Sequence, residues 1–238
     1  MSKTKKIKQK TTGFDIVYRV VTAIMAIAAF PLAYFSKMIL IVIMHEEVSN
    51  IINNLTGSED PGGTYAEWSI ADIFDSSSTL HMILNLGEGN SLSISTIWDN
   101  VYLRAVLIAA IFFAITLVLA LIILFFAIFS NKSKVIIGLS ASGVLSMIVS
   151  FVSFTQFFAN PIINGDVSLA NILNINGIIA NLALGLINIT TIKLEGAFFW
   201  VFFLMLGILV WSIAVLVVNK SEEKEKAMKA AARKKQLN

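Results

Sequence analysis

VYLRAVLIAAIFFAITLVLALIILFFAIF, residues 101–129, decides the fold class. Its only charge is Arg104, close to the N-terminal edge. A hydrocarbon core about 30 Å thick takes about 20 apolar residues as helix, so this stretch is expected to cross a bilayer. Working outward, three further stretches have the same character: Ile16–Met44, Val135–Phe158 and Ala197–Val218. Such runs exceed what a buried helix of a soluble domain needs, and the first exceeds the apolar segment of a signal peptide.

Composition agrees. Of 238 residues, 57% are hydrophobic and 14% charged, and the mean hydropathy is +0.81. A soluble domain carries about a quarter charged residues, so a soluble enzyme is excluded. Cysteine is absent. Disulfide frameworks, thiol catalysis and cysteine-ligated zinc or iron–sulfur centres are excluded with it.

The first stretch is too long for one straight span, because its 29 residues reach about 44 Å as helix. Pro31 removes a backbone donor in its middle and should kink it. Lys37 is expected to mark the interface by snorkelling to the headgroups. Met38 to Ile52 would then continue as helix along the outer surface.

Charge sets the orientation. Fifteen basic and four acidic residues fall before the first span, between spans two and three, or in the tail. Three basic residues (Lys37, Arg104 and Lys193) and eleven acidic ones fall on the other side. Lys and Arg are retained on the cytoplasmic side, which places both termini there in a plasma-membrane, multi-pass protein. The net charge of +3 is thus the remainder of +11 inside and −8 outside. The resulting segments are a basic N-terminus (1–15), a first span with an outward extension (16–44) and an extracellular loop (45–100). A second span (101–129), a cytoplasmic turn (130–134) and a third span (135–158) follow. A second extracellular loop (159–196), a fourth span (197–218) and a basic helical tail (219–238) complete the chain.

The outer loops repeat. Trp68-Ser-Ile-Ala-Asp-Ile-Phe74 matches Val167-Ser-Leu-Ala-Asn-Ile-Leu173. Leu86-Gly87 matches Leu184-Gly185, and Ile94-Ser-Thr-Ile97 matches Ile189-Thr-Thr-Ile192. Ordered matches of this kind indicate two parallel span-loop-span repeats, related by a two-fold axis along the membrane normal. Ser69 and Ser168 open each copy in the manner of a capping box, with Asp72 in the acid position of the first. Ile73 and Phe74, and Leu169, Ile172 and Leu173, fall at helical spacing. The expected fold is therefore all-α: four transmembrane helices, an outer cap of amphipathic helices, and a short β-ribbon pairing Ile94–Ile97 with Ile189–Ile192. Residues 53–65 read as a flexible outer loop present in the first half alone.

Small residues line the spans: Gly138, Ser142, Ser146, Ser150 and Ser153 on the third, Thr22, Ala26, Ala29 and Ala33 on the first. The second carries Ala110 with Ala114 and Thr116 with Ala120. Small residues let helices approach closely in lipid, and serine hydroxyls bond the preceding turn. Packing is the favoured reading of the serine stripe, and a pore lining the sharper one.

Chemistry is conspicuous by what is missing. No span has an Asp, Glu or His in its central portion, and proton relays and ion-coupled carriers need such groups at depth. His45 and His81 are the only histidines, and no catalytic, phosphate or dinucleotide motif occurs. No catalytic, cofactor or metal residue is expected. The expectation is a non-enzymatic subunit of a membrane assembly whose acidic extracellular cap docks a partner. An oligomeric channel or permease subunit with a Ser-lined path is the alternative. Expected partners are the bilayer, other membrane subunits or further copies, and anionic lipid at the basic tail, with no nucleic acid. The Ile/Asn/Lys-rich composition leans toward a low-GC bacterium.

Overall fold

The structure, a computed structural model, describes residues 13–43, 64–75, 94–130, 132–167, 172 and 189–236. Helix α1 is Gly13–Phe35, followed by strands β1 (Ile39–Ile43) and β2 (Thr64–Trp68) and the single turn α2 (Ala71–Phe74). A short helix α3 (Ile94–Asp99) leads into α4 (Val101–Phe129). Then come α5 (Ser133–Phe154), a π turn (Thr155–Ala159), α6 (Asn160–Ile163), β3 (Ile189–Leu194) and α7 (Gly196–Gln236). Four helical stretches are long and apolar enough to cross a membrane: Phe14–Phe35, Val101–Phe129, Ser133–Ile163 and Gly196–Lys229.

These four form a closed ring in which α1 packs on α4, α4 on α5, α5 on α7 and α7 on α1. Each neighbour runs antiparallel, so α1 begins and α7 leaves the bundle at one end. Strands β1 and β3 adjoin α1 and α7 at the other.

The side-chain distribution is that of a protein dissolved in lipid. Ala26, Ala29, Ala33, Ala109 and Ala120 are buried, whereas Ile24, Val118, Leu121, Leu145, Phe203 and Val210 are exposed. In hydrocarbon, large apolar groups gain nothing by turning inward, and small ones allow close backbone approach. Exposed Trp98, Trp200 and Tyr34 gather toward the sheet end, as aromatics do at a bilayer boundary.

Local signals set the helix ends. Asn100 opens α4, its Oδ1 accepting from the backbone N–H groups of Tyr102 (3.0 Å) and Leu103 (3.2 Å). Pro161 cannot donate to the carbonyl four residues back, and the helix widens into the π turn just before it. Gly165 closes α6 with φ of 77°. Its N–H reaches the Ile162 carbonyl at 3.1 Å, and the Asp166 N–H reaches that of Pro161 at 2.9 Å. That pairing is a Schellman motif, in which a glycine takes the left-handed position.

The fold is not all-α. A three-stranded antiparallel sheet, ordered β2-β1-β3, closes the non-terminal end of the bundle. Two expectations give way to it. Ile39–Ile43 is a strand, where a helix from Met38 to Ile52 was expected, because five consecutive mostly β-branched residues favour extended backbone. Ile94–Ile97 lies in α3, immediately before the Asn100 cap, so no ribbon joins it to Ile189–Ile192. Strand β3 pairs with β1 instead, a partner already anchored to α1. The matching segments 94–97 and 189–192 thus differ in secondary structure. The third apolar helical stretch also runs on to Ile163, past the expected end at Phe158.

Register assigns the sheet faces. Ile39 pairs with Leu194 and Ile41 with Ile192, and these four pack with the bundle core. Leu40 pairs with Glu67 and with Lys193, on the sheet face turned from the bundle, where Glu67 and Lys193 are exposed and Leu40 is buried.

Candidate functional site

Two polar systems hold the molecule together: hydroxyl seams inside the bundle and a latch at its sheet end. Within α5 the buried line is Ile136, Ser140, Gly143, Ser146, Met147, Ser150 and Phe154. Gly138 has open space where a Cβ would sit, Ser142 is exposed, and Ser153 is half-buried. A row at strict spacing of four drifts about 40° around the helix per step. Gly138 and Ser142 therefore face outward while Ser146 and Ser150 face in. Alternating steps of three and four, through Ser140 and Gly143, trace the true seam.

Two of the inward hydroxyls, Ser150 and Thr116, reach across to another helix. Ser150 donates to the Ala109 carbonyl of α4 at 2.8 Å. Thr116 of α4 donates to Phe112 at 3.0 Å and lies 3.4 Å from the Gly143 carbonyl of α5. Ser140 bonds within its own helix, to Ile136 at 2.8 Å. Met205 of α7 lies over Gly143, and Met25 of α1 over Gly207, so each glycine is a hole for a methionine knob. On α1, Thr22, Ala26, Ala29 and Ala33 are all buried. On α4, Thr116 and Ala120 are buried and Ala110 and Ala114 are exposed.

At the terminal end, the Tyr18 hydroxyl meets Ser212 Oγ at 3.0 Å across the α1–α7 seam. Arg19 donates from Nε to the Ala127 carbonyl at 2.8 Å and from Nη2 to the Ile128 carbonyl. A cation thereby satisfies the last carbonyls of α4, where the helix dipole is negative. In the sequence Arg19 carries only the signal of a topogenic charge, because the carbonyls it caps belong to a helix more than 100 residues away.

The latch centres on Lys37, two residues past α1. Its carbonyl accepts the Ala197 N–H at 2.9 Å, in the first turn of α7. Its Nζ lies 3.4 Å from Asp72 Oδ2. The same carboxylate oxygen accepts the Ser69 backbone N–H at 2.6 Å and the Ser69 hydroxyl at 2.8 Å. The Ser69–Asp72 pair thus makes the acid-to-backbone half of a capping box. These Ser69 bonds hold the Asp72 carboxyl below the usual carboxylate range, with Lys37 adding to the effect. Met38 donates to the Trp68 carbonyl at 2.7 Å and accepts from the Glu195 N–H at 2.8 Å. Three consecutive hydrogen-bonded points therefore join the end of α1, the end of β2 and the start of α7.

The other expected cap residues divide. Ile73 and Phe74 belong to α2. Ile172 is buried in the core, and its carbonyl accepts from Asn100 Nδ2 at 3.1 Å. Leu169 and Leu173 lie outside the described residues, as do His45, His81, the 53–63 part of the outer loop and the N-terminal lysines. Pro31 lies within α1 and, with Phe30, Tyr34, Phe35, Ile70 and Leu117, lines an open apolar groove beside α1 and α4.

Charge is uneven at the sheet end. Its described cations are each engaged: Lys37 with Asp72, Lys193 with Glu195 at 2.8 Å, and Arg104 over the Trp98 ring at 6.0 Å. Six described carboxylates stand against these three cations, and Glu67, Asp75, Asp99 and Asp166 are all exposed. Comparison with protein-family models, curated proteins and solved structures finds no match.

Proposed function

We propose that the protein is a non-enzymatic subunit of a plasma-membrane assembly and that its acidic sheet-end cap docks a partner outside the cell. The observation that carries this reading is the contrast between the two polar systems. Ser150, Thr116 and the Tyr18–Ser212 pair spend their hydroxyls on helix–helix ties, whereas the sheet-end surface presents a carboxylate excess on a braced platform. The start of α1, the exit of α7, Lys132 and Lys134 share the opposite end, which supports cytoplasmic termini by the retention of basic residues. The partner is another membrane subunit or a further copy of the chain, presenting basic groups or bridged by a divalent cation.

An ancestral duplication belongs to this reading. In the ring order α1-α4-α5-α7, a two-fold axis would carry α1 onto α5 and α4 onto α7, as the ordered sequence matches require. Divergence is then concentrated in the cap.

Purification in mild detergent after cross-linking in cells tests the proposal. Co-purifying chains or multiple copies are expected, and their yield should fall when Glu67, Asp75, Asp99 and Asp166 are replaced together by their amides. A lone monomer with no cross-linked partner overturns it. So does solute flux in liposomes that is abolished by replacing Ser142, Ser146 and Ser150 with Leu, the signature of a Ser-lined path.

A further inference from the structure

Helix α7 is one unbroken element of 41 residues, about 62 Å long. Its bundle contacts end with the apolar segment near Val218. Tyr18, in the second turn of α1, meets Ser212, so α1 begins at the level of the residues just beyond. From Asn219 to Gln236 the helix continues past the body, and residues 220–225, 227–229, 231 and 232 are exposed.

The charges along this rod are graded. Residues 219–225 hold two lysines and three glutamates, a net −1, and residues 226–236 hold Lys226, Lys229, Arg233, Lys234 and Lys235 with no acid, a net +5. Glu225 pairs with Lys229 at 2.5 Å, an i,i+4 contact that supports an isolated helix.

Height decides which partner this gradient fits. Lys226 lies about 12 Å and Lys235 about 26 Å beyond Val218 along the axis. Headgroups occupy about 5–7 Å outside the hydrocarbon, and attraction to anionic lipid fades over a Debye length of about 8 Å. The part of the rod within one Debye length of the headgroups, residues 219–228, carries three lysines and three glutamates and no net charge. The cations from Lys229 onward, a net +4, begin about 10 Å outside the headgroups and lie more than one Debye length away. A uniform phosphate backbone lying along the whole rod would meet Glu222, Glu223 and Glu225 as well as the lysines, whereas a protein can present acidic groups to residues 226–236 and basic groups to the glutamates. We infer that the distal half of α7 is a docking rod for an acidic surface of a soluble protein.

The side of the membrane follows the orientation proposed above, but the measurement does not depend on it, because a nanodisc exposes both faces. The cysteine-free chain allows Ala232→Cys to carry a single fluorophore. Full-length protein is placed in nanodiscs of phosphatidylcholine, with and without phosphatidylserine, and energy transfer to headgroup acceptors reads the height of residue 232. Poly-L-glutamate and an oligothymidylate of equal charge are titrated in parallel. The rod should keep its height in both lipids and bind poly-L-glutamate more tightly than the oligonucleotide. Lys226→Gln, Lys229→Gln and Arg233→Gln together should weaken that binding about tenfold without helix-breaking residues. Collapse of residue 232 onto phosphatidylserine overturns the inference in favour of a lipid contact. Tighter oligothymidylate binding overturns it in favour of nucleic acid. Absent polyglutamate binding, or binding unchanged in the triple variant, removes the docking surface altogether.

Discussion

Gly143 and Gly138 are five residues apart on one helix and differ completely in what a side chain would meet. A Cβ at Gly143 runs into the buried Met205 side chain, and one at Gly138 enters open space. The Met205 methyl can turn aside for one carbon but not for three. Gly143→Ala should therefore be tolerated, and Gly143→Val should destabilise the bundle by about 1–3 kcal/mol through overpacking. Gly138→Val should be close to neutral. Unfolding in detergent with increasing denaturant separates the three. Asp72 gives a second residue-level outcome. Its carboxyl is held low by the Ser69 bonds, so the carboxylate stabilises the cap at pH values above the unfolded value near 4. That contribution is lost as pH falls through the folded value. Asp72→Asn should thus melt earlier than the parent at pH 7, and the gap should shrink toward pH 3. A gap that grows with acidity would show that the latch does not work through the carboxylate.

At the scale of elements, Arg19 joins two helices by closing the end of one from the side of another. Replacing it with Gln keeps length and polarity but removes the cation from the negative end of α4. A loss of about 1–2 kcal/mol is expected, with faster amide exchange in residues 126–130 than elsewhere. The Pro161 turn illustrates how one residue reshapes an element. Its missing N–H and its ring explain why a regular helix gives way to a π turn and then to a Gly165 cap. The serine row shows the converse limit of pattern recognition. Ser146 and Ser150 could be read as seam residues, but a four-residue spacing admitted Gly138 and Ser142 to the same stripe. Only the observed neighbours, Ala109 on α4 and Met205 on α7, select which hydroxyls face a partner.

For the whole molecule, alternating helix direction places the start of α1 and the exit of α7 at one end, with the sheet at the other. Single cysteines test the sidedness directly, since none must first be removed. Labels at residues 75, 99 and 166 should react with an impermeant reagent added to intact cells, and labels at 132 and 224 should react only after lysis. The reverse pattern would move the acidic cap to the cytoplasm and end the docking proposal in its present form.

Sequence by itself determined the number of spans, because the length and apolarity of 101–129 and its three counterparts answer to bilayer thickness alone. It located the end of the first span near Lys37, where a lysine meets the interface, and the start of the second at Val101. Tertiary structure decided the cap. Ile39–Ile43 and Ile189–Leu194 both carry β-branched runs that favour extended backbone, but no local signal pairs the one with the other across the intervening spans. Tertiary structure also decided the seams. In lipid the inward face is chosen by fit between small residues, and an almost uniformly apolar helix such as α4 carries little sequence asymmetry to reveal it.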